Sequence, residues 1–132
     1  MMNVNYLGTE SDTILQDELR DWSQATLNQL DKAYGYKSFR PGQLEAVNAI
    51  LNRRDLIAVM PTGSGKSVCY QLPALRVGSF TVVVSPLRAL MRNQVQALQA
   101  RGVPAALIDS GVSPKQRQCI YDMAHGGGLR IL

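Results

Sequence analysis

A glycine-rich turn between a short apolar run and a helical pattern restricts this sequence more than any other feature. Residues 55–60 read Asp-Leu-Ile-Ala-Val-Met, residues 61–65 read Pro-Thr-Gly-Ser-Gly, and apolar residues recur at helical spacing over residues 66–77. A continuous apolar run of this length is typical of a strand buried on both faces. The order strand, glycine turn, helix therefore favours an α/β fold in which a strand leads directly into a helix.

The same alternation continues to the end of the chain. Further strands are predicted over residues 80–84, 104–109 and 129–132, with helices over 87–100 and 113–124. Such alternation predicts right-handed βαβ units and a parallel sheet covered on both faces, with ligands at the carboxyl ends of its strands. We predict a mobile tail over residues 1–12, helices within 13–54 (residues 14–34, ending at Gly35, and a second from Pro41) and the α/β domain over 55–132.

Composition and charge narrow the class of protein. The 132 residues are 45% hydrophobic and 18% charged, which predicts one folded domain, and no apolar stretch reaches the 18 residues of a membrane span. Residues 1–33 hold six acidic against two basic residues, a net charge of −4, whereas residues 34–132 hold four against twelve, a net charge of +8. A basic body suits an anionic partner such as nucleic acid, and equally a solvated basic surface.

The N-terminus and the cysteines bear on the compartment. The N-terminus lacks the basic and apolar stretches of a signal peptide, so secretion is not expected. With one histidine and no CxxC pair, Cys69 and Cys119 cannot build a zinc site, and we expect both to be buried thiols in a reducing compartment. These features predict a cytoplasmic protein, associated with the nucleoid if the source is bacterial.

Residues 60–67 carry the chemistry of a phosphate-binding loop. Glycines allow the backbone to turn its N–H groups inward around phosphate oxygens, and the following helix adds the partial positive charge of its N-terminus. Lys66 is predicted to reach the β- and γ-phosphates, and the Ser67 hydroxyl to bind Mg²⁺. Met60 stands where the general pattern has its first glycine. The alternative is a glycine turn with a purely structural role.

Three segments resemble the motifs of RecQ helicases in order and spacing. Residues 60–74, which begin Met-Pro-Thr-Gly-Ser-Gly-Lys-Ser, are similar to motif I of that family, in which methionine is normal at the first position. Residues 34–43 resemble its motif 0, and residues 84–95, beginning Val-Ser-Pro-Leu-Arg, resemble its motif Ia. Ser64 replaces a common glycine, Arg88 an aliphatic residue and Asn93 an aspartate. The resemblance covers about residues 27–132.

The resemblance implies a parallel-sheet RecA-like P-loop NTPase domain, preceded by N-terminal helices. It further implies the ATP-binding portion of an ATP-dependent DNA helicase that unwinds DNA with 3′ to 5′ polarity in recombination and repair. ATP and Mg²⁺ are the implied cofactors, single-stranded or duplex DNA is the implied partner, and Lys66 is the implied catalytic residue. The residues predicted to hold the nucleotide are Tyr36, Arg40, Gln43, Thr62, Gly63, Ser64, Gly65, Lys66 and Ser67.

Motif 0 fits an adenine site. The Gln43 amide offers both a donor and an acceptor to an adenine edge, Arg40 adds a donor, and Tyr36 offers a flat face for stacking. The alternative for Tyr36 is an ordinary core aromatic.

Motif Ia fits a DNA phosphate site made by Ser85, Pro86, Arg88 and Arg92. Pro86 suits the first turn of a helix that Ser85 could cap, and the two arginines, four residues apart, share a face. The alternative is a solvated face.

The acidic DExH motif of the family does not occur in the 132 residues. We expect it, with a second RecA-like domain, beyond Leu132, so this chain alone is not expected to unwind DNA. A catalytically inactive remnant that only binds nucleotide or nucleic acid is the main alternative. An unrelated P-loop enzyme, such as a small-molecule kinase, is the third possibility. The oligomeric state is not predicted.

Overall fold

A computed structural model describes residues 4–6, 21–76 and 78–132 of the chain. The chain divides into two compact units, Met1–Pro73 and Ala74–Leu132. Most of the predicted tail, and residues 14–20 of the predicted first helix, lie outside the described residues.

Two helices form the body of the first unit. Helix α1 spans Ser23–Tyr34 and packs against α2, which spans Gln43–Leu51. Gly35 ends α1 as predicted, because its left-handed backbone (φ +72°) lets its N–H donate to the Asp31 carbonyl. Leu30, Ala46 and Val47 are fully buried, so the apolar faces of both helices contribute to the core of this unit.

The predicted first strand is short and pairs in an unexpected direction. Strand β2 spans Leu56–Ala58 and pairs antiparallel with β1, Val4–Tyr6, which falls within the predicted tail. Ile57 and Val59 are 50% and 70% exposed, whereas Leu56 and Ala58 are half-buried. The prediction of a strand buried on both faces is therefore wrong for β2. Burial of both faces requires a covering layer on each, and the exposed Ile57 and Val59 lack one among the described residues.

Helix α3 follows the glycine turn and spans Lys66–Ala74. It includes Pro73 and ends one residue later, so it is shorter than the predicted residues 66–77. The Ser79 hydroxyl donates to the carbonyls of Ala74 and Arg76 at 2.9 and 2.7 Å. The bond to Ala74 supplies a donor for the carbonyl of the last residue of α3, whereas the Arg76 carbonyl also accepts from the Ser79 N–H.

The second unit contains helices α4, Arg88–Ala100, and α5, Pro114–His125. A capping box begins α5, in which the Ser113 hydroxyl accepts from the Gln116 N–H and the Gln116 side chain accepts from the Ser113 N–H. The core comprises Ala74, Leu98, Ala105 and Ile131, with Val83, Val95 and Val103 packed against it.

The three remaining predicted strands meet at one residue. Ile131 forms isolated parallel bridges with both Thr81 and Ala105. The parallel direction agrees with the prediction, but the described residues of this unit contain no continuous strand. Phe80, Val82 and Val84 are 45%, 61% and 93% exposed, so the expected burial of residues 80–84 is wrong as well. In the part of the chain that the structure describes, no sheet is covered on both faces, because exposed side chains on these runs lack a covering layer.

The two cysteines differ in their exposure to solvent. Cys69 is buried as predicted, and burial raises the pKa of its thiol. Cys119 is exposed on α5, contrary to the prediction.

No helix in the described part of the chain has the length and apolar character needed to cross a membrane.

Candidate nucleotide-binding site

The turn that joins β2 to α3 has the backbone shape of a phosphate loop. Gly63 and Gly65 adopt the left-handed conformation, with φ of +78° and +84°. The Ser64 N–H donates to the Pro61 carbonyl at 3.2 Å, which closes the turn. Residues other than glycine rarely adopt these angles, so the predicted need for glycine at both positions follows from the backbone itself.

Gln43, at the start of α2, joins the motif 0 segment to this loop. Its side chain is only 3% exposed. The amide oxygen accepts from the Arg40 N–H at 2.9 Å, while the amide nitrogen donates to the Gly65 carbonyl at 2.9 Å and approaches the Ser64 carbonyl at 3.4 Å. A Cβ on Gly65 would lie 2.5 Å from Gln43 Nε2. Gly65 therefore serves two purposes, the left-handed turn and room for Gln43.

Two cationic side chains also contact loop carbonyls. Arg40 Nη1 donates to the Gly63 carbonyl at 2.6 Å, and Lys66 Nζ donates to the carbonyls of Met60 and Pro61 at 2.6 and 2.9 Å. Arg40 and Lys66 are both exposed residues. Neutral carbonyls are weaker acceptors for an ammonium group than phosphate oxygens, so Lys66 gains by exchanging them for a phosphate.

Hydroxyl groups in the loop could hydrogen-bond a polyphosphate. The Ser64 hydroxyl is buried and has no hydrogen-bond partner among the described residues. Ser67 is half-buried in the first turn of α3, and Thr62 is exposed. A buried unpaired hydroxyl beside two left-handed glycines fits an anionic oxygen that supplies the missing acceptor.

Few groups here could hold Mg²⁺ by themselves. Within the described ranges no three His, Cys, Asp or Glu side chains are placed to bind a metal ion. Mg²⁺ prefers oxygen ligands and is commonly held by substrate phosphates, water and only one or two protein groups. The Ser67 hydroxyl alone therefore fits the ion as part of Mg·ATP and not as a separately bound metal.

An aromatic pair lies at the C-terminal end of α1. The rings of Tyr34 and Tyr36 are stacked, with centroids 6.0 Å apart and planes 15° apart. The Tyr34 hydroxyl donates to Gln71 Oε1 at 3.0 Å, while Tyr36 is 49% exposed. Tyr36 is therefore not a core aromatic, and Tyr34 supports it from one side. The role of Tyr34 was not predicted, although its position two residues before Tyr36 was a usable signal.

The motif Ia residues lie in the second unit. The Ser85 hydroxyl accepts from the Leu87 N–H at 3.3 Å, and α4 begins only at Arg88. The prediction that Pro86 occupies the first helical turn, capped by Ser85, is therefore wrong. The hydroxyl closes a local turn over residues 85–87 instead, and Leu87 keeps an extended backbone.

Arg88 and Arg92 share a face as predicted, and both contact a carboxylate that sequence reasoning missed. Arg88 Nε and Arg92 Nη2 lie 3.0 and 3.2 Å from the same oxygen of Asp109, Oδ2. The Gly111 N–H donates to the other oxygen at 2.8 Å and, with the two arginines, lowers the pKa of the Asp109 carboxyl. Asp109 is one of two acidic residues after Asp55, and this scarcity of acidic residues was the sequence signal that could have drawn attention to it.

A family model described as DEAD/DEAH box helicase matches residues 40–127. Because this match includes well over half of the 132 residues, the chain belongs to the DEAD/DEAH box helicase family. The match includes both the loop and the Arg40–Gln43 segment that contacts it. The RecA-like P-loop fold predicted from the motifs is the fold of that family, although residues 4–6, 21–76 and 78–132 contain no continuous parallel sheet.

The more specific resemblance is also confirmed by individual relatives. The chain is 45% identical over 106 residues to "ATP-dependent DNA helicase RecQ" of Haemophilus influenzae, covering 80% of this chain and 17% of the relative. It is 44% identical over 100 residues to "ATP-dependent DNA helicase Q1" of Rattus norvegicus, covering 76% and 16%. It is 39% identical over 115 residues to "ATP-dependent helicase SGS1" of Saccharomyces cerevisiae, covering 84% and 8%. The chain thus spans about a sixth or less of these relatives.

Proposed function

We propose that this chain is the ATP-binding portion of an ATP-driven DNA helicase and that the loop over residues 61–67 holds the triphosphate. The observation that carries the proposal is the contact between two separate motifs, since Gln43 and Arg40 both bond backbone carbonyls of the loop. A structural glycine turn has no need of two polar side chains from another segment. Relatives named ATP-dependent DNA helicases support the same reading.

Each loop residue has a distinct task in this proposal. Lys66 exchanges its two carbonyl acceptors for the β- and γ-phosphate oxygens, while the free N–H groups at the start of α3 bond the same anion. The Ser67 hydroxyl takes one ligand position on Mg²⁺, which supplies neutralisation of charge on the phosphates when it is bound. Gly63, Ser64 and Gly65 shape the loop, and Thr62 borders it.

Adenine recognition is assigned to the motif 0 side of the loop. Gln43 Oε1 accepts from the Arg40 N–H and can accept a second hydrogen bond from the adenine amino group, whereas the amide nitrogen already donates to the Gly65 carbonyl. Tyr36 offers its exposed ring face to the base, and Tyr34 holds that ring from the other side.

The chain is expected to bind Mg·ATP about 10-fold more tightly than Mg·GTP, because guanine presents a carbonyl where adenine presents the amino group. Calorimetric titration with both nucleotides measures the ratio. Gln43→Ala should bring the ratio near one, whereas Gln24→Ala, on the exposed face of α1, should leave it unchanged. Equal affinities in the unaltered chain would contradict the assignment of Gln43.

The activity of the whole protein, as we propose it, is movement along single-stranded DNA with 3′ to 5′ polarity, coupled to ATP hydrolysis and strand separation in recombination and repair. Such a substrate places the protein in the cytoplasm, at the nucleoid if the source is bacterial. Arg88 and Arg92, with Ser85 and Pro86 before them, are the residues assigned to the DNA backbone. Both arginines are about half exposed.

Steady-state ATP hydrolysis with and without single-stranded DNA separates the candidate functions. Turnover that DNA stimulates and that Lys66→Ala removes would identify a motor portion that is active by itself. Nucleotide binding without turnover would identify the binding-only alternative. Turnover that is indifferent to DNA and accompanies phosphorylation of a small molecule would contradict both.

A further inference from the structure

The second unit carries a dense positive charge with very little compensation. Residues 74–132 include seven basic residues and only two acidic ones, Asp109 and Asp122, for a net charge of +5. The Asp109 side chain is 5% exposed, whereas the Arg88 and Arg92 side chains beside it are 54% and 56% exposed. The carboxylate is therefore covered while the two guanidinium groups face solvent.

The contacts around Asp109 fix both arginines from beneath. One carboxylate oxygen, Oδ2, accepts from Arg88 Nε and from Arg92 Nη2, and the other, Oδ1, accepts from the Gly111 N–H. Gly111 lies close to both groups, because a Cβ there would lie 3.2 Å from both Arg88 Nη2 and Asp109 Oδ1 and would displace them by a few tenths of an ångström. Two like charges would not remain together at one point without the anion between them.

Most of the hydrogen-bonding capacity of the pair remains available. A guanidinium has five N–H donors in a fixed planar arrangement, and Asp109 uses one donor of each arginine. The remaining donors suit the paired oxygens of a phosphate, which arginine binds in a bidentate manner. The Asp109 carboxylate carries one negative charge, which the positive charges of Arg88 and Arg92 together outweigh.

A groove of about 500 Å³ adjoins Arg92, and Asp109 forms part of its lining. Apolar side chains, including Leu107, Val112 and Ile120, make up much of its lining, and Lys115 adds a further positive charge. Cys119 also lines the groove, and it is an exposed residue. An apolar floor with cations at its border is complementary to a nucleotide, since the base is largely apolar on its faces and the phosphate is anionic.

We propose that Asp109 is a positioning residue, which holds Arg88 and Arg92 as a preset pair for a phosphate of single-stranded nucleic acid whose neighbouring nucleotide lies in this groove. The inference rests on the proposed function, because it takes nucleic acid as the partner. To that function the inference adds two features, the carboxylate that orders the arginines and the groove that receives the adjoining nucleotide.

Replacement of Asp109 separates positioning from simple charge. Asp109→Asn makes the chain more positive, so unspecific attraction alone would tighten nucleic-acid binding. Positioning predicts the opposite, because the freed arginines must be ordered again each time a phosphate binds, which costs affinity. Asp122→Asn removes the same charge from the same unit at an exposed position on α5 and is the matched control.

Fluorescence anisotropy with a labelled oligothymidylate measures the affinities of the full chain at one low salt concentration. We expect Asp109→Asn to weaken binding about 3- to 10-fold and Asp122→Asn to leave it unchanged or slightly tighter. Gly111→Ala, which crowds Arg88 and Asp109 without changing charge, should also weaken binding, and it keeps the test open if Asp109→Asn fails to fold. Affinity that is equal or higher in both Asp109→Asn and Gly111→Ala would overturn the proposal.

Cys119 supplies an independent readout of the groove. Oligothymidylate should slow alkylation of Cys119 by N-ethylmaleimide, with the buried Cys69 as the slow internal reference. No protection of Cys119 at saturating oligothymidylate would exclude the groove. If the unaltered chain binds Mg·ATP but no oligothymidylate, the inference and the DNA part of the proposed function both fail. If it binds both and the Asp109 and Gly111 variants bind normally, the inference alone fails.

Discussion

Replacing Lys66 with alanine is expected to weaken Mg·ATP binding by about 10- to 100-fold, which corresponds to the loss of one or two charge-assisted hydrogen bonds to phosphate. The ammonium group now rests on the carbonyls of Met60 and Pro61, within reach of the turn formed by Gly63 and Gly65. No other lysine is assigned to the loop, so nothing compensates for its removal.

Calorimetric titration of the Lys66→Ala chain with Mg·ATP measures this effect. The matched control is Lys37→Ala, which removes the same charge from the same unit. The Lys37 side chain is 82% exposed and pairs with Asp31 at 2.7 Å, so its loss should change neither affinity nor fold noticeably. Equal losses in the two variants would mean that Lys66 acts only through general charge.

Replacing Gly65 with alanine is expected to destabilise the first unit by about 2–4 kcal/mol. About 1–2 kcal/mol comes from holding an L-residue in the left-handed conformation, since φ at Gly65 is +84°. The rest comes from Gln43, whose amide nitrogen lies 2.5 Å from the position of the new Cβ and must give up hydrogen bonds worth about 1 kcal/mol each. Mg·ATP binding should be lost as well, because the loop and Gln43 move together.

Gly63→Ala is the control for the backbone part of this cost. Its φ of +78° is nearly the same, but no other atom lies within 4 Å of the added Cβ. The expected loss is about 1–2 kcal/mol. Urea unfolding followed by the fluorescence of Trp22, the single tryptophan and a residue of this unit, gives both values. Identical unfolding midpoints for the two variants would show that the contact with Gln43 contributes nothing to stability.

The parts of the fold that were predictable from sequence depend on local chemistry. Helix spacing and Gly35 located α1 correctly at its C-terminal end, and the Ser113-Pro114 start of α5 follows from capping preferences. The left-handed glycines of the loop were predictable for the same reason, since backbone angles of this kind are available mainly to glycine.

The sheet was not predictable in this way because burial of a strand depends on what covers it. Alternate residues of β2 and of residues 80–84 are exposed, although β2 is apolar throughout and Thr81 is the one polar residue of the second run. An apolar run records how well a strand tolerates burial, whereas the number of covered faces is decided by other parts of a structure. The exposure of Cys119, which was expected to be buried, likewise depends on tertiary placement.

In the candidate site, too, the identities of several residues were predictable from sequence, whereas their long-range contacts were not. Motif positions indicated Lys66, Gln43 and Arg40, but the contacts of Gln43 and Arg40 with loop carbonyls are long-range and had no local signal. Asp109 was missed because an isolated aspartate in a loop has no pattern, and only the fold brings it to Arg88 and Arg92.

Hydrogen exchange of the loop amides gives the most direct test that residues 61–67 hold a triphosphate. Mg·ATP should slow exchange at the N–H groups of Gly63 to Ser67 in the correctly folded chain, whereas Mg²⁺ with AMP, which lacks the β- and γ-phosphates, should leave exchange unchanged. Exchange in this segment that saturating Mg·ATP does not alter would contradict the account.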